Sequence, residues 1–75
     1  MIVRWSEKER RIIDLVAKGL KNKEIASIIG MSEQVLKNKL ISIFAKAEVK
    51  KRTELIVKYY EGRIPCLATL NVLAS

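Results

Sequence analysis

Apolar residues recur along this chain at the three- and four-residue spacing of α-helices. No segment alternates apolar and polar residues for long enough to predict a β-strand. The apolar stretches and their start signals predict helices that begin after Ser6, at Asn22, at about Glu33 and at about Arg52. The sequence therefore predicts an all-α domain of four helices.

The first helix has distinct start and stop signals. Ser6 and Glu9 have the spacing of a capping box, in which each side chain bonds the backbone N–H of the other residue. Gly19 is expected to end this helix. Its buried face is predicted to consist of Ile12, Ile13, Val16, Ala17 and Leu20. Trp5, just before the helix, is expected to cover the end of the core.

The second and third helices are separated by a very short corner. Asn22 is the expected N-cap of the second helix and Ser32 that of the third. Gly30 stands where the chain needs a positive φ, and only Met31 separates it from Ser32. So short a connection forces the two helices to cross steeply, as in a helix-turn-helix.

The spacing within this corner is also that of a DNA-binding helix-turn-helix. If Asn22 is the first position, Ala26 is the fifth, Gly30 the ninth and Leu36 the fifteenth. These positions need, respectively, a small residue at a close helix approach, a residue that tolerates positive φ, and an apolar residue. The pattern predicts a helix-turn-helix core over residues 22–46.

The third helix, expected over about residues 33–46, has two different faces. Its predicted inner stripe is Leu36, Leu40, Ile43 and Ala47. A separate face carries Glu33, Gln34, Lys37, Asn38 and Ile41. This second face starts at the helix N-terminus, where backbone N–H groups and the helix dipole attract phosphate.

The fourth helix is expected from about Arg52 to Tyr60, with Leu55, Ile56 and Tyr59 as its inner residues. Residues 64–75 leave two interpretations open. They could form a short fifth helix that starts near Pro65, or an apolar tail packed on helix four or on a second subunit.

The pattern predicts a single domain over residues 1–75, and its net charge indicates which class of partner to expect. The chain carries +7 overall, and residues 18–52, with nine basic and three acidic residues, account for +6 of it. This excess favours a polyanion, with nucleic acid ahead of an anionic membrane surface, because the cations lie mostly at turns and helix ends. Phosphate contacts are expected from Lys18, Lys21, Lys23, Lys39, Lys50, Lys51 and Arg52.

The chain lacks the residues that several classes of protein function require. The chain has no histidine and one cysteine, Cys66, which excludes an internal disulfide, a zinc site and histidine-dependent catalysis. No apolar run approaches the ~20 residues that cross a bilayer, and the N-terminus lacks a signal-peptide core. We therefore expect a cytoplasmic protein that is not an enzyme, with no cofactor, no metal and no membrane partner.

Two stretches of the chain resemble a known protein family. The stretch "WSEKERRIIDLVAKGLKNKEIASIIGMSEQVLKNKL" is similar to the LuxR/FixJ-type (GerE-type) transcriptional regulator domain, and "VKKRTEL" to its entry into a fourth helix. The most specific part is "GLKNKEIA" followed by Ser32 and Glu33. The resemblance implies a four-helix domain in which helix three enters the DNA major groove and helix four makes a dimer.

The resemblance also implies roles for individual residues. It assigns base contacts to the start of helix three and phosphate contacts to the start of helices two and four. With the basic residues of the corner, the expected DNA-binding set is Lys21, Asn22, Lys23, Gln34, Val35, Lys37, Asn38, Lys39, Arg52 and Thr53. The expected dimer contacts are Leu55, Ile56, Tyr59 and Tyr60.

The chain departs from the family pattern at several positions. Val35 stands in the place of a usual threonine, and we expect Lys39 to supply the phosphate contact which that threonine makes. Ala47-Glu48 replaces the Leu-Gly pair that normally ends helix three, and Lys51 replaces a capping Asn, Asp or Ser.

These observations predict a sequence-specific, dimeric transcriptional regulator that binds double-stranded DNA. The alternative is a helix-turn-helix module that contacts the transcription machinery as sigma factors do. RNA polymerase would then be the partner and the apolar stretch from Ile64 to Leu73 the docking surface.

Overall fold

A computed structural model describes residues 4–64 of the chain. These residues form four α-helices and no strand: α1 (Glu7–Ala17), α2 (Asn22–Ile29), α3 (Glu33–Ala47) and α4 (Arg52–Glu61). The predicted all-α architecture of four helices is confirmed. Cys66 and the predicted fifth helix or tail lie outside the described residues, apart from Ile64, which is buried.

The predicted capping box of α1 is confirmed. The Glu9 amide donates to Ser6 Oγ at 3.0 Å, and the Ser6 amide donates to Glu9 Oε1 at 2.9 Å. The helix ends at Ala17, and Gly19 follows in the left-handed region with φ +86°. Gly19 thus turns the chain towards α2, as the sequence indicated.

The prediction that Asn22 is the N-cap of α2 was wrong by one residue. Asn22 is the first residue of the helix, and Lys21 is the N-cap. A lysine side chain has no acceptor for the free N–H groups of the first turn. Instead the Lys21 amide donates to Glu24 Oε1 at 2.9 Å, which is half of a capping box.

The corner between α2 and α3 has the predicted conformation. Gly30 has φ +86°, and the amides of Gly30 and Met31 both donate to the Ala26 carbonyl, at 2.8 and 3.0 Å. Ser32 Oγ then accepts from the Val35 amide at 3.1 Å and caps α3. The left-handed glycine and the immediate cap together let α3 begin with only three residues between it and the end of α2.

The core is apolar throughout the described residues, since no polar or charged side chain among them is buried. Helix α1 packs against α2 and α4, and α3 packs against α2 and α4. The buried positions are Trp5, Ile12, Ile13, Val16, Ala17, Ile25, Ala26, Leu36, Leu40, Ile43, Ala47, Val49, Leu55 and Ile64. This set includes the whole predicted inner stripe of α3, and Trp5 covers the core as expected.

The end of α3 contains the one non-glycine residue with positive φ between residues 4 and 64. Glu48 has φ +58°, at the position where the sequence departs from the usual Leu-Gly. Lys58 of α4 donates from Nζ to the Ala47 carbonyl at 3.0 Å and to the Glu48 carbonyl at 3.4 Å. The negative end of the α3 dipole also attracts the Lys58 ammonium, whereas it repels the Glu48 carboxylate.

Two tyrosines connect α4 to α1. Tyr59 Oη donates to Asp14 Oδ1 at 2.7 Å, and Tyr60 Oη donates to the Ala17 carbonyl at 2.8 Å. The hydrogen bond from Tyr59, with a second from Lys18, lowers the pKa of Asp14, while the same bond to Asp14 raises the pKa of Tyr59. A charged carboxylate is therefore part of the contact between these helices at neutral pH.

We predict that Glu48→Gly raises the free energy of unfolding by about 1 kcal/mol, because glycine adopts positive φ without a Cβ clash. Urea denaturation of the wild type and the variant measures the change. Glu48→Ala is the matched control, since it removes the carboxylate but keeps the Cβ. Equal stabilisation by Ala and Gly would mean that the charge, and not the backbone conformation, limits stability.

A second prediction concerns the pH dependence of stability. The pKa of Asp14 is lower in the folded state than in the unfolded state, so its contribution is present above the unfolded pKa and is lost as pH falls through the folded pKa. Tyr59→Phe should therefore cost about 1 kcal/mol near neutral pH and less in acid. Urea denaturation at several pH values measures both costs.

Tyr60→Phe is the control for this experiment, because its partner is a backbone carbonyl that does not titrate. Its cost should be similar at every pH. A Tyr59→Phe cost that is also independent of pH would contradict the role of the Asp14 carboxylate.

Candidate nucleic-acid interface

The outward face of α3 exposes the side chains that the sequence assigned to base contacts. Gln34, Val35, Lys37, Asn38 and Lys39 are all solvent-exposed, and of these Gln34 and Asn38 lie opposite the buried apolar stripe of the helix. Gln34 Nε2 lies 3.4 Å from Asn38 Oδ1 and donates to it along one helical turn. The two amides thus form a paired polar surface with further donors and acceptors free towards solvent.

The same helix also exposes two large aliphatic side chains. Ile41 is 69% exposed and Val35 is 44% exposed. The sequence placed Ile41 on this face but did not include it among the DNA contacts. Its spacing of three residues after Asn38 and four after Lys37 was the signal that could have done so.

Lysines that form no ion pair within residues 4–64 surround this face. Lys23, at the start of α2, is exposed, as are Lys37 and Lys39. No ion pair or side-chain hydrogen bond within residues 4–64 involves these three lysines. Lys18 differs from them, because its Nζ lies 3.0 Å from Asp14 Oδ2.

Lys46 attaches the far end of α3 to the start of α1. Its Nζ donates to Glu9 Oε1 at 2.9 Å, to Glu9 Oε2 at 3.1 Å and to the Arg4 carbonyl at 2.8 Å. It also lies 5.2 Å from the centre of the Trp5 ring. Burial raises the pKa of Glu9, but hydrogen bonds from the Ser6 backbone and from Lys46 lower it by more. The Glu9 carboxylate therefore both caps α1 and holds α3 in place.

Arg52 makes contacts inside the protein, a role that the sequence did not indicate. Its Nη1 donates to Asn22 Oδ1 at 2.6 Å, and its Nη2 donates to the Leu20 carbonyl at 2.5 Å. Arg52 and Asn22 are both half-buried, whereas Lys21 and Thr53 beside them are exposed. The pair connects the start of α4 to the start of α2, so it holds the backbone that carries the predicted phosphate contacts.

The predicted dimer residues of α4 fall into two groups. Leu55 is 1% exposed and belongs to the core, as its predicted inner position requires, so it has no free surface to offer a second chain. Ile56 and Tyr59 are half-buried and pack against that core. The exposed apolar side chains of α4 are Tyr60, at 68%, and Val57, at 53%. Tyr60 belongs to the predicted dimer set, whereas Val57 was not included in it. Their spacing of three residues on one helix was the available signal.

None of the helices within residues 4–64 is long and apolar enough to cross a membrane. Among the same residues, no cluster of three or more acidic, histidine or cysteine side chains has a geometry that could hold a metal ion.

Comparison with curated proteins finds several bacterial relatives. The chain is 43% identical over 51 residues to the transcriptional regulatory protein YdfI of Bacillus subtilis, covering 68% of this chain and 24% of that protein. It is 47% identical over 49 residues to the monoamine regulon transcriptional regulator of Klebsiella aerogenes, covering 65% and 22%. It is 34% identical over 59 residues to the response regulator protein VraR of Staphylococcus aureus, covering 79% and 28%.

The chain thus spans about a quarter of the length of the curated relatives that it matches. No solved structure matches it significantly. Residues 4–59 match the family described as bacterial regulatory proteins, luxR family, of the GerE type. That range contains α1, α2 and α3 whole and all but the end of α4. The chain therefore belongs to the luxR family of bacterial regulatory proteins, whose GerE-type helix-turn-helix domain is a DNA-binding and non-enzymatic module.

Proposed function

We propose that this chain is a sequence-specific transcriptional regulator that inserts α3 into the major groove of double-stranded DNA. The observation that carries the proposal is the two-sided character of α3. Leu36, Leu40 and Ile43 hold it in the core, while its opposite side presents amide and lysine groups to solvent. A groove about 12 Å wide admits one helix with this arrangement. Two of the relatives named above, YdfI and the monoamine regulon regulator, are transcriptional regulators, which agrees with the proposal.

Base recognition is assigned to the first two turns of α3. Lys37 can donate to guanine O6 and N7, the acceptors that this base presents in the major groove. Gln34 and Asn38 can each pair with adenine through one donor and one acceptor. Their mutual hydrogen bond at 3.4 Å limits the orientations that the two amides sample before they meet DNA.

Phosphate contacts are assigned to the exposed basic and hydroxyl groups around the corner. Lys21 and Lys23 at the start of α2, Lys39 on α3 and Thr53 on α4 are exposed. Such contacts fix the register of the protein on the duplex but carry no sequence information. Arg52, whose guanidinium bonds Asn22 and Leu20, acts here by holding these elements together.

The dimer is assigned to the outer side of α4. Val57 and Tyr60 are exposed there one helical turn apart. Tyr60 is held by its bond to the Ala17 carbonyl, so its ring is ordered before association. Two domains joined in this way would read half-sites about one helical turn, or 10 bp, apart.

We predict that Lys37→Ala weakens binding to the preferred duplex by about ten-fold or more. It should also reduce the ratio between the affinities for the preferred and the scrambled duplex. Lys23→Ala should instead weaken binding to all duplexes alike and reduce the slope of log affinity against log salt by about one. Fluorescence anisotropy with duplexes selected from a random pool, measured over a salt series, provides both quantities.

Lys8→Ala is the control for this pair of variants, because it removes one exposed positive charge from α1, outside the corner. Affinity that does not change with salt concentration would contradict the phosphate contacts. A loss of discrimination from Lys23→Ala but not from Lys37→Ala would reverse the two roles.

A further prediction tests the dimer. Val57→Asp places a charge on the proposed interface without breaking any intramolecular hydrogen bond. It should leave the fold intact and shift the monomer–dimer equilibrium towards monomer by at least ten-fold, which sedimentation measures with and without DNA. Ile28→Asp, at an equally exposed site on α2, is the control. A wild type that stays monomeric, alone and on a two-half-site duplex, would disprove the dimer.

A further inference from the structure

Ile41 is the most exposed large apolar side chain among residues 4–64, at 69%, and it lies on the polar face of α3. It follows Asn38 by three residues and Gln34 by seven, so all three project from the same side of the helix. A lone exposed isoleucine is ordinary on a protein surface. Its position, in line with the amide groups assigned to base contacts, is what distinguishes it.

The major groove presents one kind of apolar group on its base edges, the C5-methyl of thymine. Guanine, cytosine and adenine show only hydrogen-bond donors and acceptors there, which an isoleucine cannot satisfy. Thymine is therefore the one base whose major-groove edge offers an aliphatic side chain an apolar group to contact. Resting on the proposed function, we propose that Ile41 is a specificity-determining residue that contacts the C5-methyl of a thymine in each half-site.

The spacing along α3 places this thymine close to the bases read by the amides. Three residues advance about 4.5 Å along a helix, and successive base pairs are separated by about 3.4 Å. Since the recognition helix lies in the groove, the thymine belongs one or two base pairs beyond the one that Asn38 contacts. The next outward position on α3 is Ala45, which is exposed and too small to keep the methyl away from Ile41.

Val35 is the other exposed aliphatic residue of α3, but it fits this role less well. It borders a shallow groove that Glu9 of α1 lines together with Asn38, Lys39 and Ser42 of α3. It is also less exposed, at 44% against 69%.

The test removes the methyl group from the DNA instead of altering its hydrogen bonds. Deoxyuridine replaces each thymine of the selected duplex in turn, and fluorescence anisotropy measures the affinity of the wild type and of Ile41→Ala. Burying one methyl group is worth about four-fold in affinity. We expect one thymine per half-site whose replacement weakens the wild type by about four-fold and leaves the affinity of Ile41→Ala unchanged.

Ile28→Ala is the matched control, since it makes the same change at an exposed position on α2. It should keep the wild-type response to deoxyuridine. Ile41→Ala should also keep the wild-type salt slope, because no charge is lost. Circular dichroism of each variant checks that the fold is retained.

Two results overturn the inference alone. In one, the wild type binds its duplex, and no replacement of a thymine by deoxyuridine changes the affinity. In the other, Ile41→Ala remains as sensitive as the wild type to the same deoxyuridine. Absence of binding to any duplex at low salt would instead remove the proposed function, and this inference with it.

Discussion

The one-sided burial of α3 is the constraint on which the rest of the molecule depends. Leu36 and Ile43 are fully buried, and Leu40 and Ala47 complete the same stripe. Because a helix cannot rotate about its axis without exposing such a stripe, this packing fixes which side chains face outward. The polar face of α3 is therefore determined by apolar contacts that lie on the opposite side of the helix.

Cationic side chains in this chain have two distinct uses. Lys46, Arg52 and Lys58 each bond groups on a different helix or loop, and so they position α3 and α4 relative to the remainder of the core. Lys23 and Lys37, in contrast, have no partner within residues 4–64 and contribute their full charge to the surface. A net charge of +7 alone could not distinguish the cations that hold the fold from those available to a polyanion.

Exposed apolar side chains are likewise confined to a few places. Ile28 is exposed by itself on α2, whereas on α3 the exposed apolar residues lie among polar and charged side chains, and on α4 Val57 and Tyr60 form a separate surface. The two surfaces suit different partners, since a base edge offers single methyl groups whereas a second protein chain offers a larger apolar area. The division agrees with the proposed insertion of α3 into DNA and the proposed association through α4.

The sequence alone determined the four helices, the left-handed Gly30 corner and the outward face of α3. These features follow from local rules of spacing, capping and backbone conformation. It did not determine that Val57 is exposed on α4 or that Arg52 bonds Asn22. Those outcomes depend on contacts between residues up to about thirty positions apart. The helical spacing of apolar residues in the sequence does not reveal such contacts. Tertiary packing decided them, because only the assembled helices settle which side chains find partners inside and which remain free for another molecule.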